Sequence, residues 1–196
     1  VCSSDLAWRV GRLRVALPTL ASMVLTSVDE YLAAEGRIGA SSDSALLALL
    51  DRSRAELATV HSYEVLTGML LQGDDTVPAP MLACRALHDG RRLGLTDDEV
   101  VATSPEVLAL SAPAITSPVT LPSTSTPLPA IAPEGATVDD LSFRDALRLR
   151  ARWLHELQSR TARELGHRAA MRGVLDDTAL VAQMTLDDLT VAQQRG

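Results

Sequence analysis

Three polar side chains fall on an otherwise apolar face of one predicted helix, which makes them the first candidates for chemistry. In a helical projection His61 lies among leucine and valine side chains, and Arg54 and Glu64 flank the same face. Buried polar groups need hydrogen-bonding partners. The trio therefore predicts a polar patch that lines a substrate cavity. The alternative interpretation is a histidine that is satisfied within the core, or one at the edge where the helix meets solvent.

A second histidine stands in a sequence that is close to a zinc-binding motif. The dipeptide His155-Glu156 resembles the beginning of H-E-x-x-H, in which two histidines of one helix bind zinc and the glutamate acts as a general base. Position 159 is a serine, so the second zinc ligand is missing. We therefore expect His155 to be a solvent-facing residue of a charged helix.

Other catalytic and metal-binding motifs find no support in the sequence. A glycine-rich phosphate loop, a dinucleotide fingerprint and a G-x-S-x-G elbow are absent, and the chain contains no lysine. Cys2 and Cys84 alone cannot form a metal site or a disulfide framework. Four acidic pairs are explained better by helix capping than by magnesium binding. These pairs are Asp74-Asp75, Asp97-Asp98, Asp176-Asp177 and Asp187-Asp188.

The composition predicts helices that pack through aliphatic side chains. Hydrophobic residues make up 46% of the 196 residues and aromatic residues only 3%, which favours helices rich in Leu and Ala over sheets. The net charge of −7 argues against general affinity for nucleic acid, because phosphates would be repelled. No run of 18 apolar residues and no signal-peptide pattern is found. We therefore expect no membrane span and a location in the reducing cytoplasm.

The first six residues are expected to lie outside the natural fold. Back-translated as GTG TGC TCT TCC GAT CT, residues 1–6 match the end of a common sequencing adapter. This match indicates a cloning or assembly scar at the start of a fragment of a longer open reading frame. Residues 7–17 then fit the end of one helix, and Pro18 fits the first turn of the next. Gly36 is the predicted C-cap of that next helix.

Residues 7–111 are predicted to form one helical region. Its main feature is an antiparallel hairpin, formed by the helix after Pro18 and a second helix over 43–71. Ser41 or Ser42 is the predicted N-cap of the second helix.

Short elements follow the hairpin. A helix is predicted over 81–88, with a stop at Asp89-Gly90. Thr96 and Glu99 have the spacing of a capping box, in which each side chain accepts from the other residue's backbone amide. The sequence Ser104-Pro105-Glu106 predicts a further helix start, with proline at its first position.

Residues 112–137 are rich in Pro, Ser, Thr and Ala, and they predict an extended, mobile connector. Residues 138–196 predict a long Arg-rich helix that begins at Ser142 and ends at Gly173. A short helix follows, and Thr185 is its predicted cap.

The exposed face of the long helix is predicted to carry two ion pairs with the acid first, Glu156–Arg160 and Glu164–Arg168. Together the patterns predict an all-α fold. It would consist of the hairpin, the irregular Pro-rich connector and the long C-terminal helix.

The order and local sequence of these segments resemble those of the enzymes that use phosphoenolpyruvate, such as the phosphoenolpyruvate synthases and the rifampin phosphotransferases. Four stretches of the chain carry the resemblance. They are GRLRVALPTLASMVLTSVDEYL (11–32), LLALLDRSRAELATVHSYEVLTGML (46–70), TDDEVVATSPEVLAL (96–110) and the segment 143–189 that contains the Arg-rich helix. The similarity is to the helical region upstream of the swivelling phosphohistidine domain.

The resemblance implies that this chain is a non-catalytic helical part of a phosphotransferase, which contributes to the region that binds the phosphoryl acceptor. Its partners would be the ATP-binding and phosphohistidine domains of the same parent chain, with a small-molecule acceptor. ATP and magnesium are implied for that parent and no cofactor for this chain. The four histidines lack the T-S-H context of the phosphocarrier. The alternative is a stand-alone α-helical protein-interaction module.

Overall fold

The helical periodicity of the sequence is realised along most of the described chain. The structure is a computed structural model, and it describes residues 2–34, 38–71, 76–115, 117, 119–123 and 132–194. The described residues form the α-helices α1 (Cys2–Ala34), α2 (Asp43–Leu70), α3 (Ala79–Arg92), α4 (Asp97–Thr103), α5 (Phe143–Met171) and α6 (Leu186–Gln194). Short 3-10 helices occupy Ile38–Ala40, Pro105–Leu110, Val138–Asp140 and Thr178–Gln183.

No strand occurs within these ranges, so the predicted all-α fold class and the long C-terminal helix are confirmed. None of the helices in the described ranges is both long enough and apolar enough to cross a membrane.

Helix α5 is the element around which the others pack. Its buried side chains contribute to three of the four buried apolar clusters in the described part of the chain, and its partly buried Trp153 packs against the fourth. One cluster joins α5 to α1 and α2, one joins it to α2, α6 and the 3-10 helix before α6, and one joins it to α3. A central helix of this kind must bury several of its faces, including polar ones.

The first two helices, which were predicted to pair with each other, both pack against α5 in the structure. Helix α2 packs more extensively against α5 than against α1, and α1 contacts both of them. The fully buried residues Val28 of α1, Val60 of α2 and Leu154 of α5 meet where the three helices come together. The antiparallel hairpin itself stays a prediction.

The predicted helix starts are confirmed where a side chain caps the first turn. Ser42 is the N-cap of α2, and its hydroxyl accepts from the Ala45 amide at 3.2 Å. Thr96 and Glu99 form the complete capping box at the start of α4. Such caps are local, because donor and acceptor lie three residues apart.

Loss of the α2 cap is expected to have a measurable cost. We expect Ser42→Ala to lower the free energy of unfolding by about 1 kcal/mol, because one first-turn amide of α2 loses its acceptor. The matched control is Ser62→Ala in the exposed middle of the same helix, where the hydroxyl only bonds back to the Ala58 carbonyl. That control should be neutral or slightly stabilising. Urea denaturation of both variants measures the difference, and equal losses would contradict the capping role.

The predicted break before Pro18 is wrong. Helix α1 is continuous through Pro18, although proline removes one backbone hydrogen bond. Leu17 and Ala21 on either side are fully buried, so packing against the rest of the molecule supports the helix across this position. The helix also includes residues 2–6. Gly36, the predicted C-cap, lies outside the described residues.

The predicted stop at Asp89-Gly90 is also wrong, because α3 continues to Arg92. Gly90 has a packing role instead. A Cβ added to Gly90 would lie 2.6 Å from Val100 Cγ2, so the absent side chain lets α4 approach α3 closely.

The first part of the predicted connector and Ser111 just before it are bound to α5 by arginines. Arg152 Nε donates to the Ser111 carbonyl at 2.9 Å. Arg163 Nη1 donates to the carbonyl oxygens of Ala114 and Ser117, both at 2.7 Å. These bonds supply partners for backbone groups that form no helix or sheet.

The connector is held at two further points. Leu121 is buried, and its amide donates to Asp97 Oδ2 at 3.2 Å. Ala132 is also buried, and its amide donates to the Met81 carbonyl at 3.1 Å while its own carbonyl accepts from Arg85. The described parts of the connector are therefore anchored irregular chain, which its composition alone did not indicate.

Candidate functional site

The structure brings together two of the three predicted site residues, which all lie on α2. His61 Nδ1 is 3.2 Å from Glu64 Oε2. The second carboxylate oxygen of Glu64 accepts from Arg148 Nε of α5 at 3.0 Å. Arg54 is exposed and forms no ion pair with a described residue. The polar patch thus consists of His61 and Glu64 with Arg148, and it lies along the open edge between α2 and α5.

A second histidine joins this patch. The ring of His155 from α5 lies 6.0 Å from the His61 ring, measured between centroids. His155 is half-buried, so the expectation of a solvent-facing residue is wrong. Burial lowers the pKa of His155, and the electrostatic effects of the neighbouring His61 and Arg152 lower it further. Sequence inspection missed the pairing because 94 positions separate the two histidines.

The lowered pKa of His155 predicts an acid-sensitive contribution to stability. As the pH falls, the unfolded chain takes up a proton at this position before the folded chain does, so stability is lost as the pH falls through the ordinary histidine range near 6.5. We expect acidification from about pH 7.5 to 5.5 to lower the free energy of unfolding more in the wild type than in His155→Gln. The difference should be less than about 1 kcal/mol, because water still reaches the half-buried ring.

Urea denaturation across that pH range measures the difference. His167→Gln, an exposed position of the same helix, serves as the matched control. Parallel pH profiles for the wild type and His155→Gln would contradict the prediction.

The most deeply buried carboxylate among the described residues, Glu156, lies within an arginine network on α5. The Glu156 side chain is only 5% exposed. Its carboxylate accepts from Arg152 Nη1 at 3.3 Å and from Arg160 Nε at 3.0 Å, and Arg163 Nη2 lies 3.7 Å away. The Glu156–Arg160 pair therefore exists as predicted, but its acidic partner is in the interior and the predicted exposed face is wrong.

These arginines already have protein partners. The Arg152 guanidinium also donates to the hydroxyl of Ser111 and to the carbonyl of Ala112. We interpret the network as the device that holds the connector on α5, because its donors are directed to backbone carbonyls and to Glu156.

A separate cleft carries an unpaired carboxyl group that the sequence patterns did not single out. The cleft has a volume of about 420 Å³ and lies between α3, α4 and the 3-10 helix Pro105–Leu110. Leucine side chains from α3 and the turn after it line its walls, together with Thr103, Ser104 and Glu106. Glu106 is half-buried and forms no ion pair with a described residue.

Burial raises the pKa of the Glu106 carboxyl, and a hydrogen bond from its own backbone amide offsets only part of this effect. A carboxyl group that loses water without gaining a cation is costly, and such groups concentrate at functional sites. The signal in the sequence was Ser104-Pro105-Glu106, which we interpreted only as a helix start. Burial of Glu106 depends on α3 and α4, so the local pattern could not reveal it.

Among the described residues, no group of three or more His, Cys, Asp or Glu side chains is arranged to hold a metal ion. Comparison of the chain with known proteins finds no matching family model, no matching curated protein and no matching solved structure.

Proposed function

We propose that this chain is a non-catalytic helical module of an enzyme similar to the phosphoenolpyruvate synthases and rifampin phosphotransferases. Its role is to contribute to the region that binds the phosphoryl acceptor. ATP and magnesium belong to the ATP-binding domain of the parent protein, and the phosphohistidine belongs to its swivelling domain. The observation that carries the proposal is the cleft at Glu106, which adds a preformed binding surface to the sequence resemblance.

The cleft suits a small-molecule acceptor on physical grounds. Ligand sites are usually concave and mostly apolar, with a few polar groups that orient the ligand, and their volumes are about 300–1,000 Å³. The cleft at Glu106 has this size and this mixture of leucine and polar side chains. A module with this role needs no nucleophile or metal of its own, since the other domains supply the phosphoryl group.

The proposal is tested on the complete protein. The open reading frame that contains this chain should be recovered, expressed in full and incubated with labelled ATP. We expect an acid-labile label on a histidine of a domain beyond Gly196. An open reading frame without ATP-binding and phosphohistidine domains, or a complete protein that takes up no label, would overturn the proposal.

The alternative function, a stand-alone α-helical interaction module, is favoured by one observation. The first turns of α1 expose large apolar side chains, among them Trp8 at 60% and Val15 at 82%. Exposed apolar surface of this kind is typical of protein–protein contacts. If the open reading frame holds no phosphotransferase domains, the interaction module becomes the better account. The double variant Trp8→Ala with Val15→Ser should then weaken the association of this surface with a protein partner, as measured by light scattering.

A further inference from the structure

The cleft at Glu106 has features that define the chemistry of its ligand. We propose that it binds an amphipathic organic cation, whose ammonium group pairs with the Glu106 carboxylate while its apolar body covers the leucine walls. This inference deepens the proposed function, because it names the class of acceptor for the same cleft.

The absence of a cationic partner at Glu106 points to a cationic ligand. Three buried or half-buried glutamates of α2 and α5 are paired with arginines, namely Glu64 with Arg148, Glu156 with Arg160 and Glu164 with Arg168. Glu106 is also half-buried, but no arginine of the described residues pairs with it, and its own backbone amide donates to its carboxyl group. A ligand ammonium would supply the charge-assisted hydrogen bond that the protein leaves out.

The charged side chains that line the cleft favour a cationic ligand. The described lining of the cleft contains Glu106 and Asp89 as acids and Arg85 as a base. Two nitrogens of Arg85, Nε and Nη2, already donate to the Ala132 carbonyl. The lining is thus net negative, and its base is held by the connector, so a cationic ligand fits better than an anionic one.

The apolar walls of the cleft favour a ligand with a hydrocarbon body. Three leucines line the cleft, of which Leu82 is buried, Leu95 is half-buried and Leu93 is 73% exposed. A purely ionic ligand would leave this apolar surface in water. A ligand with a hydrocarbon body covers the leucines and gains roughly 25 cal/mol per Å² of apolar area removed from water.

The experiment compares two probes with the same apolar body, 2-phenylethylammonium and 2-phenylethanol. Binding is followed by the methyl NMR signals of Leu82, Leu93 and Val100 in the wild type, in Glu106→Gln and in Glu30→Gln. Glu30 is an exposed glutamate of α1 and provides the matched control. Titrations at several pH values between about 5 and 8 are included, a range in which the amine probe stays protonated.

We expect the ammonium probe to bind with a Kd below about 10 mM and to shift these methyl signals. Its affinity should fall about tenfold or more in Glu106→Gln and stay unchanged in Glu30→Gln. In the wild type the affinity should fall as the pH is lowered, because protons compete for the carboxylate. This pH dependence also tests the proposal without any variant.

Equal affinities for the ammonium and the alcohol, an unchanged affinity in Glu106→Gln, or no binding of the ammonium probe would each overturn the inference. The result is distinguishable from failure of the proposed function. If the probe binds but the complete protein takes up no label on histidine, the cation site survives and the phosphotransferase role does not. If the label appears but the probe does not bind, the acceptor is of another class.

Discussion

Glu156→Gln is expected to lower the free energy of unfolding by about 3–5 kcal/mol, the largest effect of any substitution considered for this protein. The Glu156 carboxylate is buried, and it is the anion between Arg152 and Arg160, with Arg163 close by. The variant would leave the buried Arg152 guanidinium without its counter-charge. Burial already lowers the pKa of Arg152 and the charge of Glu156 opposes that effect, so the cation depends on this carboxylate.

Urea denaturation measures the loss, and Glu164→Gln on the same helix is the matched control. Glu164 pairs with Arg168 at 2.7 Å, but both side chains are partly exposed, and Arg168 has Asp43 as a second acidic partner at 2.8 Å. We therefore expect this control to cost less than about 1 kcal/mol. Equal losses at the two positions would show that burial of Glu156 does not set the stability of the network.

The network also predicts which segment of the Glu156→Gln variant unfolds locally first. Arg152 and Arg163 connect the carboxylate to the backbone of the connector at Ala112 and Ala114, and Arg152 also bonds the Ser111 carbonyl just before it. In Glu156→Gln we expect faster cleavage between residues 111 and 123 by a nonspecific protease under native conditions, because the two arginines lose the group that positions them. Unchanged cleavage there would indicate that the carbonyl contacts alone hold the connector.

The features that the sequence predicted correctly are those that depend on neighbouring residues. Ser42 caps α2 and Thr96 caps α4 because the hydroxyl and the amide that it accepts from are three positions apart. The all-α class follows in the same way from aliphatic residues at helical spacing. These signals are complete within one or two helical turns.

The features that the sequence did not predict depend on contacts between distant residues. Arg152 and Ser111 are 41 positions apart, and Arg163 and Ala114 are 49 apart. A helix wheel of α5 suggested one buried face, but α5 packs against elements on several sides. That is why Glu156, assigned to the exposed face, is in the interior.

The candidate sites show the same division. The proximity of His61 and Glu64 could be predicted, because they are one helical turn apart on α2. The approach of His155 and the orphan carboxyl of Glu106 could not, because both require the packing of one helix on another. The cleft and its carboxyl group are therefore visible only after the fold is known.

Gly166→Ala is expected to destabilise the protein even though alanine is the better helix former. An added Cβ would lie 2.9 Å from Val181 Cβ and 3.2 Å from the Thr178 carbonyl oxygen. Val181 is buried and the carbonyl belongs to the backbone of the 3-10 helix Thr178–Gln183, so neither can move freely. We expect the free energy of unfolding to fall by about 1–2 kcal/mol, because the destabilisation from overpacking exceeds the gain from the higher helix propensity of alanine.

Gly68→Ala in α2 separates the two contributions. There the added Cβ meets only the Arg144 side chain at 3.1 Å, and this exposed, flexible chain can move away. The effect of this substitution then depends on helix propensity alone, and we expect the free energy of unfolding to rise by up to about 1 kcal/mol. The two glycines thus predict changes of opposite sign from the same substitution, measured by urea denaturation under one set of conditions. Stabilisation by both variants would mean that the 3-10 helix does not pack on α5 at Gly166. The apolar cluster that joins α2, α5 and α6 would then be packed differently.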